Sequence, residues 1–114
     1  MTRAIGELEQ LILFALIDLG DRGYGAAVNR TIETRTGRQV SLGAIYTGLD
    51  RLETRRFVKS RIGEPTPERG GRRKKFYRVT PAGARALRRS VEVFREMSDG
   101  LLPALNALLD GRQP

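Results

Sequence analysis

The sequence predicts a mainly α-helical domain carrying one small β-hairpin. Three observations point there: apolar residues recur at helical spacing in four stretches, two short alternating runs follow the third stretch, and glycine or proline punctuates most boundaries. At 114 residues the chain is long enough for one hydrophobic core and too short for a second.

In the first stretch Leu8, Leu11, Ile12, Ala15, Leu16 and Leu19 share a helical face, and Gly20 ends the run. Leu13, Phe14 and Ile17 widen the apolar surface on the other flank. So broad a surface predicts a second packing partner, supplied by another subunit. Tyr24, Ala27, Val28 and Ile32 form a weaker second helix, closed by Gly37 at the position where a left-handed residue ends a helix.

The third helix lies in "SLGAIYTGLDRLETRR", with Ser41 as N-cap and Ile45, Leu49 and Leu52 on one buried face. The opposite face offers Gly43, Tyr46, Thr47, Asp50 and Arg51, small or hydrogen-bonding side chains placed early in the helix. That is where a helix lying in a major groove reads base edges and contacts phosphate. For Tyr46 a half-buried packing role against the second helix is an equal alternative.

Beyond this helix the period changes. "FVKSRIG" and "KFYRVT" alternate as strands do, separated by "EPTPERGGRRK", whose prolines and glycines forbid regular structure. A hairpin with a long loop is predicted, with Tyr77 and Val79 on one face and Phe76 and Arg78 on the other. Phe76 reads as a shield at the strand end or as a contact for a partner.

Charge gives this hairpin a role. The chain carries a formal +8, and residues 57–90 hold 11 Lys/Arg against 2 Asp/Glu, whereas residues 1–56 hold 8 against 7 and residues 91–114 hold 2 against 4. A surplus so concentrated is the footprint of a polyanion-binding surface; a merely solubilising face would intersperse both signs. Three helices followed by a hairpin with a long basic loop is the order of a winged helix-turn-helix. The candidate DNA contacts are therefore Ser41, Gly43, Tyr46, Thr47 and Arg51 on the third helix, with Arg69, Arg72, Arg73, Lys74 and Lys75 on the wing. Arg72, next to Gly70 and Gly71, is placed to enter a narrow minor groove, and Lys74 and Lys75 to meet phosphates.

Other chemistry is poorly provided for. Without cysteine or histidine the chain lacks a thiol nucleophile, thiolate or imidazole metal ligands and the usual neutral-pH base. Asp18, Glu33, Asp50 and Glu53 show no paired spacing. Neither an enzyme nor a cofactor is expected. Acids stand in "MTRAIGELEQ" where a signal peptide would be cationic, and no apolar run nears the roughly 18 residues of a membrane span. A soluble cytoplasmic, nucleoid-associated protein is the expectation.

After the wing, Thr80 is an N-cap and Pro81 fits the first helical position. Ala84, Leu87, Val91, Phe94, Ser98, Leu101, Leu105 and Leu108 then follow at steps of three and four, the a/d pattern of a helical seam. Self-association against the spare flank of the first helix would bury it. The predicted interface is Leu13, Phe14, Ile17, Leu87, Val91, Phe94, Leu101 and Leu105. Gly100 and Pro103 predict a kink or a restart in this helix. With no tryptophan to stack a flat ligand, Phe14, Phe94 and Met97 read as core rather than pocket.

The segments "GYGAAVNRTIETRTG", "GAIYTGLDRLETRRFV" and "GGRRKKFYRVTPAGARAL" resemble the PadR family of bacterial transcriptional regulators, in that family's order, over about residues 5–90. The resemblance implies a winged-helix DNA-binding unit, residues 1–80, and a C-terminal dimerisation helix, residues 81–114, forming one compact unit as in the short branch of the family. It further implies a homodimeric repressor on a pseudo-palindromic double-stranded operator, often relieved by a small aromatic or drug-like effector. Thr47 departs from the proline common after the recognition-helix tyrosine. Two other readings share the basic patch: a sequence-indifferent nucleic-acid coat, and a module docking an acidic protein.

Overall fold

A computed structural model of the chain describes residues 4–65 and 73–111. The element order is α1 (Glu7–Leu19), a short 3-10 turn (Gly20–Arg22), α2 (Gly25–Thr36), α3 (Leu42–Thr54), β1 (Val58–Pro65), β2 (Arg73–Val79), α4 (Pro81–Ser98) and α5 (Leu102–Leu109). The mainly helical class with one antiparallel hairpin is as the sequence predicts.

The first three helices enclose the core because each contributes an aliphatic stripe. Ile12 and Leu13 from α1, Val28 from α2, and Ile45, Leu49 and Leu52 from α3 are fully buried together. Each such side chain stabilises the fold by roughly 1.5–3 kcal/mol through water exclusion. Predicted caps form: the Ser41 hydroxyl accepts from the Ala44 amide and the Thr80 hydroxyl from the Gly83 amide, both at 3.1 Å. Gly37 ends α2 in the left-handed conformation.

The end of α3 sets where the hairpin starts. Arg56 N–H donates to the Glu53 carbonyl and Phe57 N–H to the Leu52 carbonyl, each at 2.9 Å. This pair of bonds is a Schellman ending, in which Arg56 takes the left-handed place usual for glycine, at φ 63°. The chain then turns into β1, which pairs with β2 in the register Val58–Val79, Ser60–Tyr77 and Ile62–Lys75, with an irregularity between Ile62 and Pro65. Tyr77 and Phe57 close the floor of the core. Unforeseen from the sequence, the segment before α2 joins the sheet: Tyr77 N–H donates to the Gly23 carbonyl at 2.8 Å and Tyr24 bridges Phe76.

α4 starts against the core and then leaves it. Gly83 and Leu87 are buried, whereas every residue from Val93 to Leu101 is exposed. The restart, not a kink, is what forms: α4 ends at Ser98, Gly100 adopts φ 73°, and α5 begins at Leu102. The molecule measures 59 × 33 × 20 Å with a radius of gyration of 17.2 Å. A compact chain of this length would have about 13 Å. The C-terminal helices therefore form an arm.

Candidate nucleic-acid interface

α3 presents its outer face as expected, because the three aliphatics on its inner face fix its rotation. Gly43, Tyr46, Thr47, Asp50 and Arg51 are all exposed. Thr47 and Arg51 border an open groove against Glu7 and Glu9 of α1. Arg51 thus stands in a field of mixed sign. Ser41 is exposed as well, with its hydroxyl engaged in the cap.

Tyr46 packs on the second helix and still leaves part of its ring in solvent. It is 43% exposed, yet its ring lies over the first residue of α2: a Cβ at Gly25 would meet the ring and hydroxyl at 2.5–2.8 Å. Tyr24, one residue earlier, is the site residue that the sequence did not reveal. Its hydroxyl accepts from Arg30 Nη2 at 2.9 Å, the Lys74 ammonium sits 4.3 Å over its ring, and Phe76 meets its edge with centroids 5.7 Å apart. The hydrogen bond from Arg30 holds the Tyr24 phenol below its ordinary pKa. Arg61 in turn covers Phe76 at 4.6 Å, so Phe76 serves as a shield within a cation–aromatic ladder. The available signal was an aromatic between two glycines in "GYG".

The wing cations divide by surroundings. Arg73 is exposed, Lys74 is half-buried on Tyr24, and Lys75 pairs with Glu53 Oε1 at 3.3 Å. Lys75 is thus paired internally where a phosphate contact was expected. Its ammonium is raised above the ordinary lysine range, first by the Glu53 hydrogen bond. Glu53 is lowered, first by the Ser60 hydroxyl and then by Lys75. Arg69 and Arg72 lie outside the described residues. Arg78, on the outer face, pairs with Asp21.

The predicted subunit-contact residues separate into two groups. Leu13 and Leu87 are buried in this chain's own core and have no surface left for a partner, which corrects their assignment. α1 sinks more of its width between α2 and α3 than one stripe required, and the first turns of α4 carry Leu87 onto the core. Phe14 and Ile17 are exposed and line a groove of about 390 Å³ between α1 and α2. Val91 is half-buried; Phe94, Leu101 and Leu105 are exposed. The reading of Phe14, Phe94 and Met97 as core does not hold within this chain, since Phe94 is 77% and Met97 76% exposed. Val93, Met97, Leu102 and Leu109, outside the a/d series read from the sequence, join the exposed apolar surface of the arm.

Among the described residues no acidic cluster could hold a metal ion, and no helix is long and apolar enough to cross a membrane. The Transcriptional regulator PadR-like family matches residues 13–89. A curated relative, an uncharacterized 37.1 kDa protein in transposon TN4556 of Streptomyces fradiae, is 33% identical over 92 residues, 81% of this chain. The chain spans about a quarter of that protein's length, 24%. A PadR family transcription regulator from Clostridium difficile superposes with a TM-score of 0.72 at 24% identity, covering 88% of this chain and 99% of that one. Bacillus subtilis PadR, solved in complex with operator DNA, superposes with a TM-score of 0.62 at 23% identity, covering 74% of this chain and 47% of that one.

Proposed function

Because the chain belongs to the PadR-like family of transcriptional regulators, which are not enzymes, we propose that it acts as a homodimeric repressor that binds a pseudo-palindromic double-stranded operator. One observation carries this reading: the exposed, polar outer face of α3 lies beside a hairpin that concentrates the chain's positive charge. In the proposed complex α3 enters the major groove, Tyr46 and Thr47 meet base edges, and Arg73 with the wing loop meets flanking phosphates. The relative solved on operator DNA supports that use of the fold. The exposed leucines of the arm supply the second subunit's contact, and an aromatic or drug-like effector would act by altering that seam. Its place of action is the cytoplasm, on the nucleoid.

A sequence-indifferent coat would use the same charge without the α3 face. The two readings separate on an operator selected from random duplexes and a scrambled control. Tyr46→Ala and Thr47→Ala are each expected to weaken operator binding by about 1–3 kcal/mol per lost base contact while leaving scrambled duplex unchanged. Tyr46→Phe, which keeps the ring over Gly25, checks that packing is not the cause. Equal losses on both duplexes would exclude sequence reading by this helix.

A further inference from the structure

Glu53 occupies the last turn of α3 and touches both strands of the wing. One carboxylate oxygen accepts from the Ser60 hydroxyl of β1, and the other lies 3.3 Å from the Lys75 ammonium of β2. Lys75 is further fixed by its position 5.5 Å over the ring of buried Tyr77, which is paired with Ser60 across the hairpin. A single acid therefore joins the reading helix to two strands and takes up the charge of one wing cation. Both partners remain partly solvated, with side chains 42% and 35% exposed. Lys75, once released from Glu53, would therefore be within reach of a DNA phosphate.

Accepting the DNA-binding function proposed above, we propose that Glu53 is a specificity-determining residue. It locks the wing to α3 and withholds Lys75 from the DNA backbone. A phosphate contact strengthens operator and random duplex alike, because it acts through release of condensed counterions and carries no sequence information. Withholding one lowers the shared part of the affinity and leaves the base contacts of α3 to decide more of the total. The acid is used here as a restraint on a basic surface.

Glu53→Gln keeps the shape and an oxygen for Ser60 while releasing Lys75. The slope of log K against log salt is expected to steepen by about 0.9 per subunit, about 1.8 for a dimer. Random-duplex affinity should rise and the operator-to-random ratio should fall. Lys75→Ala alone should leave the native slope unchanged, and Glu53→Gln with Lys75→Ala, isoelectric with the native chain, should return to it. An unchanged slope in Glu53→Gln, or a slope flattened by about 0.9 per subunit in Lys75→Ala, would overturn the lock. The Lys75→Ala arm decides the matter even where Glu53→Gln folds poorly. Failure of the underlying function looks different: the native chain itself would then show no preference for any duplex.

Discussion

Replacing Phe94 and Met97 together by aspartate is expected to give a folded monomer that binds operator at least a hundredfold more weakly. Both side chains are more than three-quarters exposed in the single chain, on a part of α4 that has already left the core. Their loss should therefore spare the winged domain, and the melting temperature of that domain should stay close to native. In the native protein they share the arm with Leu101, Leu102, Leu105, Leu108 and Leu109, all exposed. So many exposed large apolar side chains on one arm are more than monomeric proteins commonly leave bare. Two aspartates opposite their symmetry mates would bury like charges in the seam, an arrangement with no compensating partner. The DNA effect follows from linkage, since joining two half-site binders raises apparent affinity by about 10²–10⁴ without any new contact. Sedimentation at micromolar concentration checks the first claim and operator titration the second. A native chain that sediments as a monomer, or a double variant that remains dimeric, would contradict the proposed seam.

The largest effect on stability should come from Gly83→Ala. A Cβ at this position would lie 2.1 Å from the Phe57 carbonyl oxygen and 2.9 Å from its carbon. Both atoms are backbone, held in place by the turn that ends α3 and by the bond from Thr80 N–H to the Phe57 carbonyl at 3.0 Å. No side chain can swing away, so the start of α4 must move and Leu87 must lose its seat. Overpacking commonly costs about 1–3 kcal/mol, and a clash with fixed backbone belongs at or beyond the upper end. For a chain of this size, about 3 kcal/mol lowers the melting temperature by roughly 10–20 °C. Gly43→Ala is the contrasting control. It stands in α3 with nothing within 4 Å of a new Cβ, and alanine there should stabilise by about 0.5–1 kcal/mol through helix propensity. Thermal denaturation of the pair measures both; equal melting temperatures would contradict the close approach at Gly83.

What was legible in the sequence is what local chemistry determines. Ser41 and Thr80 announced helix starts, Gly37 an end, and Ile45, Leu49 and Leu52 the rotation of α3. The hairpin followed from alternation interrupted by proline and glycine. Features made by distant neighbours were not legible. Leu13 and Phe14 are adjacent and both apolar, and only the tertiary placement of α2 and α3 decides that one is core and the other surface. Tyr24 looked like an ordinary stripe residue because Lys74, fifty positions later, supplies its cation. Lys75 looked like a phosphate ligand because its acid, Glu53, reads as an isolated charge until the hairpin folds back onto α3. The a/d stripe of the C-terminal segment ran on through Gly100 in the sequence, whereas a left-handed residue there divides it between two helices. In each case the sequence carried the residue type and the fold supplied its partner.

The claim that a two-fold dimer reads duplex DNA through α3 is tested most directly by hydroxyl-radical footprinting of the native protein on a selected operator. Two protected half-sites of related sequence are expected, their centres one helical turn of about 10–10.5 base pairs apart or a multiple of it. A single asymmetric half-site, or protection spread evenly along any duplex, would contradict it.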